Sequence, residues 1–186
     1  MSEKRTSRLR FYLATVAVFW EMAHLAWEQL NGGVQSHHFL AMEEMPAISN
    51  WWGLLLLPIL AWFLASSIQK RIDFQSNVKD SKSQVLASIV VGGVASLIFG
   101  ILLSFFFTNG NENITSYLFF GMLLLALILP IYRAECLLGF VLGMTFTFGA
   151  VLPTFIGSIV AALSALVHLY IIPGLGRLWT WSKLKI

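Results

Sequence analysis

The chain has 186 residues, of which 58% are apolar and only 11% are charged. This composition is too apolar and too poor in charge for a soluble domain, and it indicates a membrane protein. The net charge of +3 comes from a few basic clusters without interleaved aromatic residues, which argues against nucleic-acid binding.

Hydrophobic stretches long enough to cross a bilayer follow one another along the chain. A helical span needs about 20 predominantly apolar residues, because about 30 Å of hydrocarbon is crossed at 1.5 Å per residue. We therefore predict a single-domain, all-α integral membrane protein, a polytopic bundle of six transmembrane helices. The predicted spans are about 11–30, 51–68, 85–107, 114–132, 134–151 and 154–173.

The basic residues predict how these spans are oriented. With six spans, all twelve Lys and Arg fall on one side of the membrane. With five spans, a kinked helix running through Pro153 and Thr154 would move the last three to the other side. The positive-inside rule therefore favours six spans with both termini in the cytoplasm, in a plasma membrane of the bacterial inner-membrane type. Residues 174–186, with two Trp and spaced Lys, predict a short tail on the cytoplasmic surface.

The first predicted span carries three ionisable side chains on one helix face. Glu21, His24 and Glu28 are three and four residues apart, so they stack over two turns. An ionisable group at membrane depth is costly, so these three must face protein or water. Glu21 and His24 also have the local spacing used in di-iron carboxylate bundles, although only one copy is present. The pattern predicts a polar site about 3 to 14 Å below the outer boundary.

The extracytoplasmic loop at 31–50 is predicted to cover this polar site. It is long and mixes apolar with polar residues, so we expect it to fold back onto the bundle mouth as a short helix or a lid. Imidazole and carboxylate groups are ligands of zinc, iron, manganese and copper. The predicted ligands of a divalent transition metal are Glu21, His24, Glu28, His37 and His38. Glu43 or Glu44 is the predicted general base.

The same side chains also have purely structural interpretations. His37 and His38 are as compatible with a solvated loop pair as with metal ligands, and a pH-sensitive contact is the remaining alternative. Glu21 and His24 are compatible with a buried hydrogen-bonded pair that specifies helix packing. His168, in the last span, is the other intramembrane ionisable group, and its partner is open.

Three functions follow from this pattern. The first is a metal-dependent membrane enzyme, a hydrolase or oxidase, acting on a membrane lipid or another apolar substrate. The second is a proton-coupled transporter or relay using Glu21, His24 and His168, against which stands the lack of inverted repeats. The third is an accessory membrane subunit that docks a partner through the loop at 31–50.

Two further features concern packing. Small residues recur every four positions in the third span and predict close helix contacts, with homo- or hetero-oligomer formation through this ridge. The ridge consists of Ser88, Gly92, Ser96, Gly100 and Ser104. Glu135 lies beside Arg133, which predicts an ion pair at the inner edge of the membrane.

Overall fold

A computed structural model describes residues 2–38, 47–78 and 82–183. These residues form six continuous helices and one short pair of strands. The elements are α1 (Ser2–Leu30), β1 (Ser36–His38), β2 (Ala47–Ser49), α2 (Gly53–Val78), α3 (Lys82–Thr108), α4 (Glu112–Ile128), α5 (Ala134–Phe148), α6 (Val151–Leu166) and α7 (Ile172–Lys183). A π-helical segment, Val167–Ile171, joins α6 to α7 without a break.

The helices have the length and composition of membrane spans in three cases. These are the stretches Asn50–Gln75, Lys82–Thr108 and Val151–Arg177, whereas α4 and α5 are apolar but shorter. Large apolar side chains are also widely exposed on the surface, among them Phe63 and Phe120. The prediction of an all-helical membrane protein is confirmed at the level of these three candidate spans.

Two helix boundaries differ from the predicted ones, and glycine and proline explain both. α4 ends at Ile128 rather than near 132, because the residue before Pro130 is forced out of the helical conformation. The turn between α5 and α6 lies at Gly149, which has a φ of 66°, and not at Pro153. Pro153 instead lies in the first turn of α6, where its missing N–H has no helical partner to lose.

The described arms of the loop after α1 pair as a short β-ribbon, and residues 39–46, between the two arms, lie outside the described residues. β1 and β2 pair antiparallel, with Ser36 opposite Ser49 and His37 opposite Ile48. Ser49 then caps the 3₁₀ turn that leads into α2, its Oγ accepting from the N–H of Trp51 at 3.5 Å. The described arms of the loop are thus held together directly above the junction of α1 and α2.

The small-residue ridge of α3 packs inside the chain, against α5. A β-carbon at Gly100 would lie 2.7 Å from the carbonyl oxygen of Phe140, and one at Gly139 would overlap the carbonyl oxygen of Gly93. Such close approach of two backbones is what glycine permits in membrane helices. Gly92 and Gly100 of the ridge thus pack against α5 within one chain, whereas Ser88 is exposed, and oligomer formation through the ridge stays a prediction.

α5 belongs to two apolar clusters and so lies at the centre of the bundle. On one side, Val141 packs with Ala17 of α1 and Leu57 of α2. On the other, Phe140 packs with Leu103 of α3 and Met122 of α4. The candidate site lies on the first of these sides, where α1, α2 and the carboxyl end of α5 meet.

Candidate functional site

The site is built on the α1 stripe, by which we mean Glu21, His24 and Glu28. All three side chains are buried, with 0%, 2% and 7% of their surface exposed. The imidazole of His24 lies between the two carboxylates, with Nδ1 3.6 Å from Glu21 Oε2 and Nε2 3.3 Å from Glu28 Oε1. The predicted stripe is therefore present and faces the protein interior.

The carboxylate of Glu21 lies directly against Gly53 at the bottom of the site. A β-carbon at Gly53, the first residue of α2, would collide with Oε1 of Glu21 and would come within 3.3 Å of Ala150 Cβ. The carboxylate thus occupies the space that a side chain on α2 would fill. Gly53 is consequently part of the site, although it carries no functional group.

The loop after α1 closes the top of the site through Glu28. The backbone N–H of Gln35 donates to Glu28 Oε2 at 3.3 Å, and the side-chain amide of Asn50 donates to Glu28 Oε1 at 2.6 Å. The same amide nitrogen lies 3.5 Å from Nε2 of His37. These contacts bring His37 to the α1 stripe, as the sequence predicted for this residue.

Asn50 is a site residue that the sequence analysis did not identify. Its side chain is 3% exposed, and its Oδ1 lies against Gly149 at the end of α5. A β-carbon at Gly149 would overlap that oxygen, and the positive φ of this residue independently favours glycine. The backbone N–H of Asn50 donates to the carbonyl oxygen of Gln35 at 3.0 Å. A prediction that the two loop arms pair would have identified Asn50, because this pairing puts it beside Gln35.

Aromatic rings separate the site from the outer surface of the bundle. The ring of Phe146 lies 5.3 Å from that of His24 and 6.0 Å from that of Trp27, measured between centroids. Phe146 is 53% and Trp27 54% exposed. The two half-exposed rings therefore cover the imidazole of His24 on this side of the bundle.

The buried carboxylates lack sufficient positive charge. Among the described residues, no Lys or Arg lies within ion-pair distance of Glu21 or Glu28, which have only His24 between them. Both carboxylate oxygens of Glu21 and both ring nitrogens of His24 are buried without a well-formed hydrogen bond. If both carboxylates are ionised, a protonated His24 balances only one of the two buried negative charges.

His37 contributes no positive charge near neutral pH. Burial lowers the pKa of its imidazole below the ordinary value of 6.5; the neighbouring His24 also lowers the pKa, and the carboxylate of Glu28 opposes this by raising it. A neutral imidazole has a free lone pair, which is the form that binds a metal ion.

The predicted metal ligands are brought together in part. The amide nitrogen of Asn50 lies 2.6 Å from Glu28 Oε1 and 3.5 Å from His37 Nε2, and His24 Nε2 faces the same Glu28 oxygen. Within the described part of the chain, however, no three His, Cys, Asp or Glu side chains converge as a ready metal site. Of the other predicted residues, Glu43, Glu44 and the side chain of His38 lie outside the described residues.

His168 is not part of this group. Its ring nitrogens lie 3.0 Å from the carbonyl oxygen of Ser164 and 3.3 Å from that of Ile128. Pro130 ends α4 just beyond Ile128, and Ser164 Oγ donates to the carbonyl of Leu129 at 3.0 Å. His168 and Ser164 therefore provide hydrogen-bond partners for the carbonyl oxygens of Ile128 and Leu129 at the end of α4, which is a structural role.

A comparison of this chain with protein-family models, curated proteins and solved structures finds no match.

Proposed function

We propose that the protein is a small multi-pass membrane enzyme that depends on a divalent transition metal and acts on a lipid or another apolar substrate. The observation that carries this proposal is the pair of buried carboxylates, Glu21 and Glu28, with the single imidazole of His24 between them. The carboxylate oxygens of Glu21 and the ring nitrogens of His24 are buried without a hydrogen-bond partner. A buried excess of negative charge calls for a cation, and the His and Glu donors suit zinc, iron, manganese or copper.

Glu28, His24 and His37 are the residues that would hold the metal. The amide of Asn50 lies against Glu28 Oε1 and near His37 Nε2, and His24 Nε2 faces the same Glu28 oxygen. A rotation of the Asn50 side chain would therefore make room for a metal ion beside Glu28. Glu21 would balance charge and orient His24 from below, in the way that a carboxylate supports a metal-bound histidine. Bound there, the metal would supply a Lewis acid that activates water or oxygen.

The environment of the site suits an apolar substrate. Phe146 and Trp27 stand between His24 and the membrane-facing surface, so their rings would admit an acyl chain while excluding bulk water. Glu43 or Glu44 remains the proposed general base.

We also propose the finer topology, in which all six helices cross the membrane and both termini face the cytoplasm. This places the site near the extracytoplasmic side. The distribution of Lys and Arg supports the orientation. Reporter fusions test this topology: a reporter fused after residue 38 should lie on the extracytoplasmic side, and one fused after residue 183 should lie in the cytoplasm.

Metal binding tests the proposal directly. Protein purified in detergent should hold close to one transition-metal ion per chain by elemental analysis, and Glu28→Gln and His37→Gln should each lower the occupancy at least tenfold. Glu112→Gln changes an exposed acid at the start of α4 and is the matched control. Equal metal content in all four proteins, or a folded protein that takes up no metal at saturating concentration, would contradict the proposal.

Lipid turnover tests the enzymatic part. Metal-loaded protein in liposomes of a bacterial lipid extract should change the lipid species seen by mass spectrometry, and chelation or Glu28→Gln should abolish the change. If the protein binds metal but the lipid species do not change, the metal-binding part of the proposal stands and the enzymatic part is contradicted.

A second function, proton relay, is favoured by one observation. The two nitrogens of His24 face two different carboxylates at 3.6 and 3.3 Å, which is an arrangement for passing a proton from Glu21 to Glu28. This function predicts pH-driven proton flux in proteoliposomes that Glu21→Gln abolishes, without any need for metal.

A further inference from the structure

A second polar cavity lies at the other end of the bundle, between α2 and the start of α5. It has a volume of about 760 Å³. α2 lines it with apolar Leu64 and Phe74 and with basic Lys70 and Arg71, and Arg133 lies on the opposite wall. It is separate from the α1 stripe and has no part in the proposed function.

Arg71 is fully engaged in holding this end of the bundle together. It pairs with Glu135 of α5 through Nη1, donates to Ser88 Oγ of α3 through Nη2 at 3.1 Å, and donates to Gln75 through Nε at 3.1 Å. The sequence predicted an ion pair between Glu135 and the nearby Arg133, but the structure pairs Glu135 with Arg71. The carboxylate of Glu135 is thus neutralised by Arg71.

This pairing leaves two cations facing the cavity. In the described part of the chain, no hydrogen bond or ion pair engages the side chain of Lys70, which is exposed, or that of Arg133. Arg133 is also the N-cap of α5 and makes no side-chain capping bond. The first N–H groups of that helix therefore add partial positive charge to the same wall.

We infer that this cavity binds the phosphate group of an anionic phospholipid. Lys70, Arg133 and the amino end of α5 supply the charge and the donors that a phosphate needs. The source is the bilayer because of where the cavity lies. The predicted apolar span at 51–68 ends just before Lys70, which puts this side chain at headgroup level, and Phe74, one helical turn further on, is 69% exposed. Basic cavities in this position between membrane helices suit acidic lipid headgroups.

Native mass spectrometry of the detergent-purified protein tests this inference. Phosphatidylglycerol should bind at least tenfold more tightly than phosphatidylcholine, and each removed cation should weaken phosphatidylglycerol binding roughly fivefold. The variants are Lys70→Gln and Arg133→Gln. Lys82→Gln, at the exposed start of α3 and outside the cavity, is the matched control and should bind like the unchanged protein.

Three results would overturn the inference. The first is equal binding of the two lipids, and the second is equal loss in Lys82→Gln and Lys70→Gln. The third is stabilisation by inorganic phosphate in lipid-free detergent that equals the effect of phosphatidylglycerol, which would assign the site to a soluble anion. Lys70 is exposed and makes no hydrogen bond or ion pair with the residues that the structure describes, so Lys70→Gln should fold normally, as circular dichroism will show.

Discussion

Glu28 and Asn50 are 22 residues apart, and a buried 2.6 Å hydrogen bond joins them. One belongs to the last turn of α1 and the other to the turn before α2. This bond, together with the hydrogen bond from the N–H of Gln35, fixes the returning loop onto the top of the α1 stripe. The accessibility of the site therefore depends on it.

Removing the Asn50 side chain should destabilise the protein. Asn50→Ala leaves a buried carboxylate without its strongest partner, and we expect a loss of about 1 to 3 kcal/mol in the free energy of unfolding. Asn109→Ala removes an exposed amide that donates to Phe105 and should change the stability by less than about 0.5 kcal/mol. Chemical unfolding in detergent micelles measures both. Equal effects would show that the bond to Glu28 is not important.

Gly149→Ala should be more harmful than Gly110→Ala. Both glycines have positive φ, 66° and 70°, so an alanine at either position is strained by about 1 to 2 kcal/mol. Only at Gly149 would the new methyl group also overlap Asn50. We expect Gly149→Ala to lower the free energy of unfolding more than Gly110→Ala, because only the first change displaces Asn50 from its hydrogen bond with Glu28. Chemical unfolding in detergent micelles measures both variants, and equal losses would contradict this.

The contact of α3 with α5 predicts a similar contrast between two helical glycines. Gly143→Ala places a methyl group on the carbonyl oxygen of Leu97 and should cost about 1 to 3 kcal/mol. Gly121→Ala in α4 meets open space and should be neutral, or stabilising by up to about 1 kcal/mol. Thermal unfolding of the two variants measures the difference. If Gly143→Ala melts no lower than Gly121→Ala, the two helices do not pack this closely.

Acidification should loosen the loop through His37. Burial lowers the pKa of this imidazole below 6.5, so the unfolded chain binds the proton first as the pH falls. Stability is therefore unaffected by His37 above pH 6.5 and decreases as the pH falls from 6.5 toward the lowered value. The melting temperature of the unchanged protein should drop more between pH 7.5 and 5.5 than that of His37→Gln. Parallel drops in the two proteins would exclude this role.

The buried pair of Arg71 and Glu135 predicts non-additive effects. Arg71 is 16% and Glu135 4% exposed, so Arg71→Met leaves a charge that is buried and unpaired. We expect a loss of about 3 to 5 kcal/mol for that single change. Adding Glu135→Leu should recover much of the loss, because no charge then remains buried. A double-mutant cycle of unfolding free energies measures the coupling, and strictly additive values would mean that the two groups do not interact.

The sequence by itself predicted what depends on local spacing. The 3.6-residue repeat placed Glu21, His24 and Glu28 on one face, and the high cost of ionisable groups in a membrane turned that face inward. The all-helical fold followed from apolar segments of sufficient length, since a helix satisfies its own backbone hydrogen bonds. These properties need no knowledge of neighbouring elements.

Only the tertiary structure decided which groups meet the stripe. Asn50, Gly53 and Gly149 became site residues because α1, α2 and α5 converge there, and no local pattern in the sequence marks them. The same holds for Glu135, whose partner, Arg71, is 64 residues away, whereas the sequence had suggested its neighbour Arg133. The physical reason is that helical periodicity fixes the direction of a side chain on its own helix, whereas its partner is chosen by how the helices pack.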